Sequence, residues 1–391
     1  MLIGIDASRA TAGQRTGTET YSLNLIRALI GLGTGHRFRL YTNGVSHAPG
    51  ISEMPGAWGE VRAIPFPRLW THVRLSAEML TRPPDLLFVP AHVLPLIHPR
   101  RSVVTVHDLG YLRYPAAHRP ADRRYLDWST RWNAQQATAV LADSQATKDD
   151  LARAYGVDPD KIRVVYLGRD EALGPVRAAN ELAAVRERYG IAGRYLLYVG
   201  TLQPRKNLAR VIEAFARVVG APPPPQRWGE QSPPLPPQDW GPGGLQLVLA
   251  GKRGWLYDDL FAQAARLGLT DRIIFPGYVA AADLPALLSG ALAFVFPSLY
   301  EGFGIPVLEA GACGVPVITS NTSSLPEVAG DAALLVDPHD VDAIADAMYR
   351  LVTDADLRAE LTRRGQENIK RFSWEKCARE TLAVLVEAGS K

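Results

Sequence analysis

The stretch ALAFVFPSLYEGFGIPVLEA, residues 291–310, holds a strand, a turn and a helix in twenty letters. Ala291 to Pro297 is a short apolar run of the kind needed by a strand buried on both faces. Gly302 and Gly304 punctuate a turn, and Pro306 suits the first turn of a following helix. Similar runs occur at LIGID (2–6), LLFVP (86–90) and VVTVH (103–107), then again at LLYVG (196–200), LVLAG (247–251) and VPVI (315–318). Longer helix-like stretches separate them, so the predicted fold is α/β, with two Rossmann-like, doubly wound domains.

The chain has 391 residues and 47% apolar content, enough for two cores, because one core stops growing near roughly 250–300 residues. RVVYLG (163–168) reads as the last strand of the first domain. The predicted domains are 1–170 together with 376–391, and 171–375. Residues 222–242 contain nine prolines and read as a mobile surface insertion within a 221–244 tract, since such a composition packs into no regular element. Cys313 and Cys377 are the only cysteines, in helix-like segments without metal-ligand spacing, and are expected as buried thiols. No apolar run reaches the roughly 18 residues of a spanning helix and no leader pattern follows Met1, so a cytoplasmic location is expected. Residues 1–170 carry 21 Lys and Arg against 15 Asp and Glu, while the remainder carries 22 against 25. A basic half can attract nucleic acid, anionic lipid or a phosphorylated acceptor, and composition does not choose among them.

In YEGFGIPVLEA (300–310), the amides of Gly302, Phe303 and Gly304 would lie at a positive helix end that a phosphate or sugar oxygen can approach. Glu301 and Glu309 would then offer two carboxylate acceptors near the carboxyl ends of the strands. In VGTLQPRKNL (199–208), Arg205 and Lys206 are cations placed after another strand, although such a pair is commonly just surface charge. TVHDL (105–109) puts His107 at a strand end, where either a ligand or a structural hydrogen bond can employ it. Asp108 reads as an orienting group for the neighbouring loop. In DSQATKDDL (143–151), Ser144 reads equally as helix cap or ligand.

The Glu-x7-Glu pattern after a buried strand, with the Arg-Lys turn, resembles the donor site of retaining GT-B glycosyltransferases of family four. The likeness runs from IDA (5–7) to RFSWEKCA (371–378), and is nearest to bacterial mannosyltransferase-like enzymes of surface polysaccharide assembly. It implies two domains facing across a cleft, the second holding the donor and the first the acceptor, with a final helix after Trp374 returning to the first. It implies catalytic roles for His107 beside the transferred sugar, Arg205 and Lys206 on the diphosphate, and Glu301 facing the sugar. Donor-binding roles fall to Gly17, Gly302, Phe303, Gly304 and Glu309, the last on the ribose. Thr201 stands where some relatives carry Arg, and TETY (18–21) replaces the usual acceptor-side turn.

The implied reaction moves a hexose, mannose by likeness, from a nucleotide sugar such as GDP-mannose to a glycan or lipid-linked saccharide. No metal, separate cofactor or nucleic-acid partner is expected. Competing classes are a sugar-nucleotide epimerase, a phosphorylase with a lysine-bound pyridoxal cofactor, and a non-catalytic nucleotide-sugar binder. Residues 68–80 read as one amphipathic helix with Leu69, Trp70, Val73 and Leu80 on a broad apolar face edged by Arg68 and Arg74. That face would either touch anionic membrane peripherally or lie buried in the domain core.

Overall fold

The computed structural model describes residues 1–11, 17–44, 50–54, 58–91, 93–115, 119–220, 243–252, 254 and 257–391. Residues 221–242, most of the proline-rich tract, and residues 12–16 ahead of Gly17 lie outside them. The chain forms two compact units. One comprises Met1–Gly168 and Phe372–Lys391, the other Arg169–Arg371.

The first unit is built on seven parallel strands: β1 (Leu2–Asp6), β2 (Arg37–Thr42), β3 (Gly59–Ala63), β4 (Leu86–Val89), β5 (Ser102–Val106), β6 (Ala139–Ala142) and β7 (Ile162–Val164), in the order β3-β2-β1-β4-β5-β6-β7. Every residue of β4 and β5 is buried, which explains their unbroken apolar character. The helix Trp374–Ser390, capped by Ser373 accepting from the Lys376 amide, packs on the helix Gly17–Gly31 and on β4, β5 and β6. Gly168 permits this return, because a Cβ there would lie 2.3 Å from the Trp374 nitrogen.

The second unit has six parallel strands: β8 (Arg194–Val199), β9 (Leu245–Ala250), β10 (Ile273–Gly277), β11 (Ala293–Phe296), β12 (Val317–Ser320) and β13 (Ala333–Val336), in the order β10-β9-β8-β11-β12-β13. Both cysteines are buried and unbonded. The described residues include no helix long and apolar enough to cross a membrane.

Two expectations need correction. The last strand of the first unit is only Ile162–Val164; after the Val165 amide bonds Ala142 O, the chain leaves the sheet edge. Residues 68–80 are not one helix. Leu69 adopts a left-handed φ of 52°, a π-turn covers Trp70–Leu75, and an α-helix covers Ser76–Thr81. Trp70 turns inward and donates from Nε1 to Ile64 O at 2.8 Å, whereas Leu69, Val73 and Leu80 are exposed.

Candidate functional site

In the second unit, β8 and β11 are the neighbours from which the strand order runs outward in opposite directions. Open α/β sheets bind ligands beyond the carboxyl ends of such a pair. The loop after β8 contains the single turn Pro204–Lys206, ending at Asn207 in the left-handed region (φ 64°). The loop after β11 runs to Gly304. Backbone and side-chain bonds join the two loops: Leu299 N donates to Arg205 O at 2.9 Å, Arg205 Nη1 to Tyr300 O at 3.2 Å, and Asn207 Nδ2 to Pro297 O at 3.1 Å.

This pairing places Lys206 Nζ 2.5 Å from Glu301 Oε1 and 4.9 Å from the centre of the Phe296 ring. Arg205 Nη1 lies 3.9 Å from Glu301 Oε2. Burial alone would raise the proton affinity of Glu301, but the charges of Lys206 and Arg205 outweigh it and hold the carboxyl below its ordinary range. Glu301 is therefore an ionised, buried group between two cations. Its backbone is pinned as well: its amide donates to Ser323 Oγ at 3.0 Å, and Ser324 Oγ donates to Glu301 O at 3.0 Å and Phe303 O at 2.6 Å.

Gly302, Phe303 and Gly304 are buried, and the turn ends at Gly304 with φ 121°. A Cβ at Gly304 would lie 2.8 Å from Leu325 Cδ2, so any side chain there would have to displace Leu325 and would be strained at this φ. The helix Ile305–Ala312 begins there with Pro306 in its first turn and carries Glu309. Glu309 is half-buried, and among the described residues no group donates to its carboxylate. Burial, with the like charge of Asp170, pushes its pKa up to about 7.

In the first unit, His107 follows β5 directly. Its Nδ1 lies 2.7 Å from Asp143 Oδ2 and its Nε2 3.0 Å from Pro90 O. A carbonyl and an ionised carboxylate only accept, so this arrangement favours the doubly protonated ring. Burial lowers its pKa, but the Asp143 carboxylate more than compensates and the net shift is upward. The Tyr21 ring meets the His107 ring edge-on at 4.8 Å, and its hydroxyl lies 3.1 Å from Thr105 Oγ1. Asp108 Oδ1 accepts the Gly110 amide at 2.8 Å. Gly17 opens its helix with open space where a side chain would stand. Ser144 is a cap, accepting the Thr147 amide at 3.1 Å.

The structure thus brings Arg205, Lys206, Glu301, Gly302, Phe303 and Gly304 together in the second unit, with Glu309 on the helix that follows, and places His107 and Gly17 in the first. Sequence reasoning missed Asp143, although its place at the end of apolar β6 is the signal that singled out His107. It also missed Asp6, buried at the end of β1 with its pKa pushed up to about 6 by burial, and the serines that pin the Glu301 turn.

Residues 15–173 match the family described as Glycosyltransferase Family 4, and residues 186–368 that described as Glycosyl transferases group 1. The chain is 37% identical over 285 residues to the O-antigen chain mannosyltransferase B of Escherichia coli, covering 72% of this chain and 69% of that protein. It is 29% identical to the serotype-specific mannosyltransferase WbdA of Escherichia coli over 62% of this chain, but that match spans only 28% of WbdA. In fold it resembles a sucrose-phosphate synthase from Thermosynechococcus elongatus, with a TM-score of 0.72 and 20% identity over 99% of this chain and 98% of that one. A pair of parallel-sheet Rossmann-like units with these matches is a glycosyltransferase of GT-B fold, and the chain belongs to glycosyltransferase family 4, group 1.

Proposed function

We propose that the chain transfers a hexose from a nucleoside diphosphate sugar to a glycan or lipid-linked saccharide, with retention of anomeric configuration and without a metal ion. The observation that carries this reading is the cluster of Arg205, Lys206 and Glu301 at the β8/β11 switch point, with Glu309 on the adjoining helix. A departing nucleoside diphosphate gathers negative charge as the glycosidic bond breaks. The Arg205 guanidinium and Lys206 ammonium stabilise that charge more in the transition state than in the ground state. Glu309 accepts from the ribose hydroxyls, and the Gly302–Gly304 amides approach phosphate or sugar oxygens. Glu301 faces the sugar and keeps Lys206 in place. The acceptor hydroxyl attacks the anomeric carbon from the face the nucleotide leaves, and a donor phosphate oxygen takes its proton. Unit 1, with His107, serves the acceptor side. Likeness to the O-antigen chain mannosyltransferase supports mannose, with GDP-mannose as donor.

A thermal-shift panel of GDP, UDP, ADP and dTDP sugars tests the donor, since a ligand at 100 times its Kd adds about 2.7 kcal/mol of stability. GDP-mannose should give the largest shift, and NMR of the product should show the donor's anomeric configuration. Lys206→Met should lower kcat by about 10² with a smaller change in donor KM, with circular dichroism confirming the fold. Full activity in that variant, an inverted product, or activity lost to a chelator and restored by Mg²⁺ would overturn the corresponding part of the reading.

A further inference from the structure

The loop between β11 and the helix Ile305–Ala312 carries Glu301 but belongs to no regular element, so its backbone groups must find partners elsewhere. A row of hydroxyls from β12 and the residues after it supplies them. Thr319 Oγ1 donates to Phe296 O at 2.9 Å, and Ser320 Oγ to Ser298 O at 2.5 Å. Further along, adjacent serines take both main-chain groups of Glu301, its amide bonding to Ser323 Oγ and its carbonyl to Ser324 Oγ. From the β8 side, Asn207 Nδ2 donates to Pro297 O, where the loop starts, and to Pro338 O at 2.6 Å.

Two of these residues hold the loop from an unfavourable backbone. Among the described residues, three that are not glycine have a left-handed φ: Leu69, Asn207 and Ser323, the last at 54°. Leu69 turns its side chain to solvent. The other two both lie in the second unit, and both place a side-chain group on the loop 297–304. Glycine at either position would remove the strain, and with it the amide or hydroxyl that reaches the loop. Strained residues persist where surrounding bonds over-determine them, and they gather at sites that must be pre-organised.

We infer that Ser323 and Asn207 are positioning residues for the transfer step, which fix the Glu301 carboxylate and the Lys206 ammonium in register; this rests on the donor reading above. Lys206 Nζ lies 2.5 Å from Glu301 Oε1, so an arriving diphosphate competes with Glu301 for the same ammonium. A loosely held turn would let the carboxylate follow Lys206 toward the phosphate. A turn bonded at Pro297, Glu301 and Phe303 keeps the carboxylate beside the sugar. Asn207 is next in sequence to Lys206 and caps the helix Leu208–Val218, so the two charges are held in one frame. Neither residue touches the donor; each acts through Glu301 and Lys206.

Ser323→Gly in the full chain tests this, because it relieves the backbone while removing the hydroxyl. Its melting temperature should stay within about 4 °C of wild type, since relief of strain offsets the lost hydrogen bond. Hydrogen exchange of the Glu301 amide, followed by NMR, should quicken about ten-fold. Turnover of GDP-mannose should show kcat lowered by about 10 to 10² with a smaller change in KM. Ser323→Asn should restore most of kcat, because Asn tolerates the left-handed backbone and its Oδ1 can accept the same amide. Asn207→Asp, which sets an acceptor against the carbonyls of Pro297 and Pro338, should lose kcat as well. Full kcat in Ser323→Gly, unaltered exchange at Glu301, or a Ser323→Asn variant as slow as Ser323→Gly would overturn the proposal. A wild type that neither binds nor turns over GDP-mannose would instead count against the donor reading, while the exchange measurement still decides whether Ser323 holds the Glu301 turn.

Discussion

Glu301 and Glu309 are the same residue type eight positions apart, yet their carboxyls shift in opposite directions, one below its ordinary range and the other up to about 7. The difference lies in partners. Two cations offset the burial of Glu301, while Glu309 has burial and the charge of Asp170 against it. Glu309 ionises near 4.5 in the unfolded chain and near 7 in the folded one. The fold therefore loses stability as pH rises from the first value through the second. Glu309→Gln removes this loss, so it should exceed the wild type by about 1–3 kcal/mol above pH 7 and match it below about pH 4.5, read from urea midpoints. A variant no more stable than wild type in mild alkali would show that Glu309 ionises freely. The same variant should bind nucleoside diphosphate more weakly, the mark of a carboxylate kept for a ligand. The positions of these residues were legible, because strand ends and glycine turns are local signals. Their pairings were not. Lys206 meets Glu301 across 95 positions and His107 meets Asp143 across 36, distances closed only by sheet order.

Interior strands such as β4, β5, β9 and β11 were readable because burial on both faces demands unbroken apolar residues. Strands toward the edges were not. β3 reads GEVRA without a fully buried residue, and β13 is only partly covered. The 68–80 segment misled for a related reason: its apolar spacing suits a regular helix, but one left-handed residue and a π-turn redistribute its side chains between core and solvent. The Gly304 turn shows the opposite case, in which one glycine determines an element. Gly304→Ala must accept both φ 121° and a contact with Leu325. It should destabilise the protein by about 1–3 kcal/mol and shrink the thermal shift produced by the donor. Adding Leu325→Ala should relieve the steric part and leave the backbone part. An unchanged melting temperature in Gly304→Ala would mean the turn relaxes freely.

The two units differ in how the chain supplies them. The second is one continuous segment, Arg169–Arg371, whereas the first needs Phe372–Lys391 to complete it. The final helix buries Cys377, Ala378, Thr381 and Leu385 in that unit. A fragment of residues 169–371 should therefore melt cooperatively. A fragment of residues 1–168 should not, unless a peptide of residues 372–391 is added, and calorimetry of each would decide. Cooperative unfolding of 1–168 alone would show the helix to be accessory. On the ribosome the order of the text is thus not the order of completion. At about 5–20 residues per second, the roughly two hundred intervening residues keep the first unit open for about 10–40 s, with the face its last helix will cover exposed to whatever chaperone or nascent chain is nearby.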